Sequence, residues 1–164
     1  MFELNYRIVH SDYDDFNGQH GFFQIRCNGC IYGEMYPKEV EEVMDKVSLY
    51  DWFERLAKVI KKLVTKDYVA LSDVESYNTW IVFEKKNNKV MVSIMKAKKE
   101  QGSHDVEFVL KEPEAGEWMN QIIDFEQLKQ EIVKKGRKYI KNILLTNKKN
   151  ILVNKIKQEF DEIS

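Results

Sequence analysis

Two cysteines, Cys27 and Cys30, have the spacing at which a pair of thiols can bind zinc or form a redox-active pair. A structural zinc site needs four ligands, but the chain has no second cysteine pair and its three histidines are scattered. A redox pair of this spacing normally opens a helix, whereas Asn28 and Gly29 between these cysteines form a typical hairpin turn sequence. We therefore predict two small residues flanking a turn, with no metal and no cofactor.

Known catalytic and nucleotide-binding motifs are missing from the chain. It has no Gly-x-Ser-x-Gly elbow, no Gly-x-Gly-x-x-Gly turn and no P-loop. We therefore predict a non-enzymatic binding protein. A nucleophile and a base can also be brought together from distant parts of a chain. A small enzyme or ligand-binding domain, with its pocket between sheet and helices, is the alternative.

Carboxylates alternate with aromatic residues near the N-terminus. This segment contains Asp12, Tyr13, Asp14, Asp15 and Phe16. Its spacing does not fit an EF-hand calcium loop, because the glycine is misplaced and no glutamate closes the loop. Two interpretations remain open: a solvated acidic loop, or a patch whose exposed aromatic side chains anchor a protein partner among the carboxylates.

A polar and aromatic segment also joins two apolar runs in the middle of the chain. Loops held by a rigid sheet often carry binding residues, so Asp73, Glu75 and Tyr77 are candidates for contacts with a basic partner. In the alternative interpretation, Asp73 and Ser76 cap the turn and Trp80 lies in the core.

Charge is unevenly distributed although the net charge is only −1. Residues 1–45 carry nine acidic and three basic residues, whereas residues 124–164 carry ten basic and six acidic ones. Such an asymmetry can orient a charged partner. The lysines of the C-terminal helices could contact phosphates. Without a groove-entering motif or a basic net charge, we predict a solvated helix face and no nucleic-acid partner.

Hydrophobic periodicity predicts strands and helices in turn. Strands are expected over residues 2–9, 21–27, 30–36, 68–71, 79–84, 90–97 and 106–111, and helices over 38–43, 48–65, 124–145 and 152–163. Residues 117–123 fit either a last strand or the start of a helix. Ser48 is a good N-cap for the central helix, and Gly136 lies on the apolar face of the long C-terminal helix, where we expect close packing against the sheet.

These elements predict a single α+β domain over residues 1–164. A mainly antiparallel sheet of about six strands is expected to pack against one central and two C-terminal helices. We see no signal peptide, and the longest apolar runs are four residues, whereas a membrane span needs about 20. Two cysteines in 164 residues fit a reducing compartment. We therefore expect a cytoplasmic protein with no membrane segment.

In size and sequence style, the chain resembles the immunity proteins of bacterial toxin systems. The resemblance lies in the hairpin at residues 23–33, the helix at 50–56 and the segment 68–80. Immunity proteins are small cytosolic α+β proteins, so the resemblance implies a bacterial toxin inhibitor whose partner is a cognate protein toxin. From the residues themselves, we predict partner contacts at Asp12, Tyr13, Asp14, Asp15, Phe16, Asp73, Glu75 and Tyr77.

Overall fold

The computed structural model describes residues 1–164 and contains ten strands and three helices. The strands are β1 (Phe2–Ile8), β2 (His20–Cys27), β3 (Cys30–Glu34), β4 (Val47–Ser48), β5 (Tyr68–Ser72), β6 (Thr79–Lys86), β7 (Lys89–Lys96), β8 (Val106–Glu107), β9 (Glu114–Ala115) and β10 (Gln121–Asp124). The helices are α1 (Leu49–Leu63), α2 (Phe125–Leu144) and α3 (Ile151–Asp161). The predicted α+β class, with one central and two C-terminal helices, is confirmed.

The strands form two antiparallel sheets. A single sheet of about six strands was expected. The second sheet has six strands, in the order β10-β7-β6-β5-β8, with β9 also paired to β7. The first has the order β1-β2-β3, with β4 also paired to β2. Strands β1 to β4, which precede α1, thus form one sheet, and strands β5 to β10, which follow it, form the other. No helix combines the length and the apolar composition needed to cross a membrane.

The predicted hairpin turn between β2 and β3 is confirmed. Asn28 and Gly29 both have positive φ, 52° and 89°, as a two-residue hairpin loop requires. Cys27 and Cys30 consequently lie opposite each other in the ladder, and both are free thiols. The cysteines therefore flank a turn.

We expect Cys27 to be unreactive in the folded protein. Its side chain is fully buried, and burial raises the pKa of its thiol to about 11. Ellman's reagent at pH 8 should therefore label the partly exposed Cys30 quickly and Cys27 only as the chain unfolds. Rapid release of two equivalents of thiolate from the native protein would contradict this expectation, and a Cys30→Ser variant shows which thiol reacts.

A single cluster of 33 buried residues joins side chains from both sheets and all three helices. Its centre is Phe53 of α1. The Phe53 ring lies 5.2 Å from that of Tyr6, 5.6 Å from that of Phe23 and 4.9 Å from that of Tyr139. The helix begins as predicted, since Ser48 is its N-cap and Ser48 Oγ accepts a hydrogen bond from the Asp51 N–H at 3.2 Å.

Gly136 packs against α3 and not against the sheet, so that prediction is wrong. A Cβ atom at this position would lie 2.0 Å from Cε1 of Phe160, whose ring is fully buried. The periodicity of α2 identifies its apolar face but not which element covers that face. Glycine is needed here because the ring of α3 rests directly on the backbone of α2.

Three further elements differ from expectation in their extent. The predicted helix at 38–43 is only a single 3-10 turn, Lys38–Val40. The strand at 106–111 ends at Glu107, since Phe108 and Val109 are exposed. The ambiguous residues before α2 form the short strand β10, which ends at Asp124, the N-cap of α2.

Candidate partner-binding cleft

A cleft of about 280 Å³ lies between the β2–β3 hairpin, α1 and the β5–β6 loop. Four carboxylates line it, and we name it the acidic cleft: Glu34, Asp45, Asp73 and Glu75. Five aromatic side chains also line it: Phe22, Phe23, Tyr32, Tyr36 and Trp52. No lysine, arginine or histidine is among the lining residues. The lining of the acidic cleft is therefore negatively charged. Cations lie behind its walls, where Lys99 bonds the Asp73 carbonyl at 2.6 Å and Arg7 lies 5.1 Å from the centre of the Phe22 ring.

Asp73 is the buried carboxylate of the acidic cleft, with a relative exposure of 8%. Its Oδ1 accepts a hydrogen bond from the Glu75 N–H at 2.9 Å, and its Oδ2 accepts one from the Tyr32 hydroxyl. Burial, and next the charge of Asp73, raise the pKa of Tyr32, so this phenol remains a neutral donor at physiological pH. The hydrogen bond joins the hairpin to the β5–β6 loop and fixes the width of the cleft.

Aromatic packing holds the walls of the acidic cleft in place. The Trp52 ring stacks on Phe23 at 5.0 Å with an interplanar angle of 10°, and Tyr32 meets Trp52 edge-on at 6.5 Å. Gly33 has a φ of 92°, and a Cβ there would lie 2.4 Å from the carbonyl oxygen of Phe23. Aromatic faces beside carboxylates are favourable surroundings for a cation.

The β5–β6 loop is rigid because its polar groups are bonded within the protein. Ser76 Oγ accepts hydrogen bonds from the N–H groups of Asn78 and Thr79, at 3.2 and 3.0 Å. Lys99 Nζ donates to the carbonyl oxygens of Asp73 and Ser76, at 2.6 and 2.5 Å. Burial lowers the pKa of this lysine to about 8. A loop held in this way loses little conformational freedom when a partner binds.

The capping interpretation of this loop is confirmed, whereas partner binding stays a prediction for its exposed residues. Asp73 and Ser76 bond within the turn, and Trp80 is buried, its Nε1–H donating to the Ala97 carbonyl at 3.0 Å. Glu75 and Tyr77 point outwards, and Tyr77 is 85% exposed. Asp73 can therefore act only as a buried wall of the cleft, whereas Glu75 and Tyr77 are free to touch a partner.

The side chains of the acidic loop near the N-terminus also differ in exposure. Asp12, Tyr13 and Asp15 are exposed, but the Asp14 carboxylate turns inwards and lies 3.2 Å from Nδ1 of His20. The prediction of Phe16 as an exposed anchor is wrong, because its side chain is only 3% exposed. No hydrogen bond or ion pair connects this loop with the acidic cleft.

Contacts with α1, with α2 and with the segment after α2 explain why Phe16 turns inwards. Its ring packs edge-on against that of Tyr50 at 5.7 Å. The Tyr139 hydroxyl donates to the carbonyl of Gly18 at 2.8 Å, and the Asn147 amide donates to that of Asn17 at 2.7 Å. These contacts hold the C-terminal end of the loop against the helices, and Phe16 is therefore buried in the core.

Tyr50 beside this loop provides a test of the pH dependence of stability. Burial, then the charges of Glu54 and Asp51, raise its pKa to about 12. The folded state thus holds the phenol proton more tightly than the unfolded chain, in which tyrosine titrates near pH 10. The stabilisation is complete below about pH 10 and is lost as the pH rises through about 12.

We therefore expect Tyr50→Phe to reduce the loss of stability between pH 10 and 12. The Tyr50 hydroxyl is buried with no hydrogen-bond partner, so its removal should keep or raise the free energy of unfolding at pH 7, by up to about 1–3 kcal/mol. Urea unfolding at pH 7 and pH 11 measures both effects. Tyr13→Phe is the control, since Tyr13 is fully exposed. A variant clearly less stable at pH 7 would contradict the expectation.

Most residues of the acidic cleft were not predicted from the sequence. Tyr32, Glu34 and Tyr36 alternate along β3 and its extension, and this period of two places them on one face of the hairpin. That alternation was the available signal. No sequence signal places Asp45 and Trp52 in the cleft, because only the folded chain brings them to the hairpin.

A second and larger cleft, of about 930 Å³, lies between β1, β2 and α2. Four cationic side chains line it, and we name it the basic cleft: Arg7, Arg26, Lys135 and Lys138. His10 lines it as well, and no carboxylate does. Arg7 is paired with Glu41 and Lys135 with Glu131, both at 3.2 Å, whereas Arg26 and Lys138 form no ion pair. The lining of this cleft is thus basic, and that of the acidic cleft is acidic.

Comparisons with known proteins give no match: no family model, no curated protein and no solved structure is similar to the chain. No group of three or more His, Cys, Asp or Glu side chains is arranged to hold a metal ion. What the protein does must therefore be inferred from its own surface.

Proposed function

We propose that this chain is a non-enzymatic protein inhibitor of the immunity type, which neutralises a cognate bacterial toxin by binding it directly. The observation that supports this most is the acidic cleft, in which four carboxylates and five aromatic side chains surround a space with no cation. A partner that inserts a basic side chain supplies the missing charge.

The lining of the acidic cleft, more than its size, favours a basic side chain of a protein. Its volume of about 280 Å³ lies at the lower end of the roughly 300–1,000 Å³ of small-molecule sites. An arginine suits the lining well, because its planar guanidinium pairs with carboxylates through two parallel hydrogen bonds and stacks on aromatic rings. Lysine can supply the charge but not this geometry.

The rim of the acidic cleft has the composition of a protein interface. Glu34, Asp45 and Glu75 are exposed around it, and Tyr77 extends from the same rigid loop as Glu75. Exposed tyrosines are frequent anchors in interfaces, and opposite charges mainly accelerate association. If the toxin is a nuclease, these carboxylates would occupy the positions that its basic groups hold for phosphates.

Growth rescue tests this function. Each gene that neighbours this one in its native genome is induced in a test host, with and without this protein. We expect one neighbour to be lethal alone, harmless in the presence of this chain, and to copurify with it. If no neighbour is toxic and nothing copurifies, the inhibitor proposal is rejected.

The alternative, a small enzyme or ligand-binding domain, has the basic cleft in its favour. Its volume of about 930 Å³ is within the range of ligand sites, and it lies between a sheet and a helix as that alternative requires. Screening the purified chain against small anions and metal ions, by thermal shift, distinguishes the two. A ligand that stabilises the chain, together with failed growth rescue, would favour the alternative.

A further inference from the structure

Strand β1 lies at the edge of the first sheet, and α2 covers only half of that edge. The Gln127 side chain accepts a hydrogen bond from the Phe2 N–H at 2.8 Å and donates to its carbonyl at 2.7 Å. Glu131 accepts from the Leu4 N–H at 3.1 Å, and Lys135 donates to the Leu4 carbonyl at 2.7 Å. These side chains replace a neighbouring strand over residues 2–4.

The other half of the edge, at Tyr6 and Ile8, has no such cover. In an antiparallel ladder, alternate residues direct both backbone groups to the same side. The backbone N–H and C=O groups of Phe2 and Leu4 point away from β2, so those of Tyr6 and Ile8 do as well. The Val9 N–H donates a hydrogen bond to the His20 carbonyl at 3.0 Å, which confirms that the backbone groups of the odd-numbered residues face β2. No side chain bonds to the backbone of Tyr6 or Ile8, so four backbone groups are free.

The basic cleft wraps around this free edge. Lys135 and Lys138 line it from α2, on the same side as the core. Arg7 and Arg26 line it from the opposite face of the sheet, where the odd residues of β1 and the even residues of β2 project. Arg26 and Lys138 are exposed and form no ion pair. Unpaired strand edges are where another chain can add a strand.

We propose that the free edge of β1 binds an extended, acidic segment of a partner protein as an additional strand. Side chains of an added strand would alternate between the two faces, and both faces offer cations. Backbone hydrogen bonds to Tyr6 and Ile8 would supply affinity, and the basic residues would select carboxylates. This surface shares no lining residue with the acidic cleft, so failure of this proposal leaves the proposed function unaffected.

A peptide titration tests the proposal on the full chain. The probe is a fluorescein-labelled heptapeptide of the pattern Glu-Glu-Val-Val-Glu-Glu-Val, which places glutamates on both faces of an added strand, and binding is followed by fluorescence anisotropy at low salt. We expect saturable binding that weakens at least tenfold in an Arg26→Glu/Lys138→Glu variant. Lys62→Glu/Lys86→Glu is the matched control, because it changes the net charge by the same amount, and both lysines are exposed, form no ion pair and line neither cleft. Binding equally strong in all variants would overturn the proposal, as would no binding at millimolar peptide.

Two further probes separate strand addition from simple attraction of anions. The same peptide with all of its amides N-methylated keeps its charge but can donate no backbone hydrogen bond from either edge, so it should bind at least tenfold more weakly. Amide hydrogen exchange at Tyr6 and Ile8 should slow when the unmodified peptide binds. If inorganic triphosphate displaces the peptide and the methylated peptide binds equally well, the cleft is an anion site and the strand proposal is wrong.

Discussion

Reversing two charges at the rim of the acidic cleft, with Glu34→Lys and Glu75→Lys together, should abolish neutralisation of the partner. Both side chains are exposed and form no ion pair, so the fold should be retained. Close opposite charges across interfaces couple by about 1.5–7 kcal/mol. Loss of two such pairs should therefore weaken the dissociation constant at least 100-fold, which calorimetry on the copurified pair measures.

A matched change elsewhere shows whether position matters or only net charge. Asp12→Lys with Asp15→Lys alters the net charge by the same amount, on the exposed part of the N-terminal acidic loop. We expect this variant to rescue growth with little loss of affinity. If it abolishes rescue while the Glu34 and Glu75 variant does not, the partner binds the loop and the acidic cleft is not the interface.

The second large effect concerns stability, at the contact between α2 and α3. Gly136→Leu should lower the free energy of unfolding by about 3 kcal/mol, because the new side chain meets the buried ring of Phe160. Urea unfolding monitored by circular dichroism measures the loss. Lys134→Leu, on the exposed side of the same helix, should change stability by no more than about 0.5 kcal/mol.

A double variant tests the reason for that loss. Phe160→Ala alone should cost about 3–5 kcal/mol, because it leaves a cavity beneath α3. Combined with Gly136→Leu, it should cost less than the sum of the two single changes, since the cavity admits the new side chain. Additive costs would show that the two positions do not meet and would contradict the packing described.

Local signals predicted the elements of this fold well. Asn28 and Gly29 fixed the first hairpin through their positive φ, and Ser48 marked the start of α1 through its capping bond. Such signals act within a few residues of the chain. The partner of Gly136 could not be predicted, because periodicity shows that a face is covered without showing what covers it.

The candidate site was only partly visible in the sequence, for a related reason. Glu75 and Tyr77 were identified because they share one polar loop, and both are exposed. Phe16 was assigned to the surface because its neighbours are acidic, but contact with Tyr50 draws it into the core. The acidic cleft combines a hairpin, a helix and a loop, and pairing over long distances in the chain decides which residues meet.

The predicted charge asymmetry takes a more specific form in three dimensions. Acidic residues of the first third of the chain combine with Asp73 and Glu75 in the acidic cleft. Lysines of α2 combine with Arg7 and Arg26 in the basic cleft. Each cleft therefore draws on both an early and a later part of the chain, and each presents one sign of charge to a partner.

Amide hydrogen exchange on the copurified complex tests the central claim most directly, because it locates the partner on the surface. Compared with the free protein, we predict slower exchange in residues 73–78 and in 31–36, the two segments that border the acidic cleft with α1. Unchanged exchange in both segments, with protection confined to other parts of the chain, would show that the partner binds elsewhere and would contradict the proposed role of the acidic cleft.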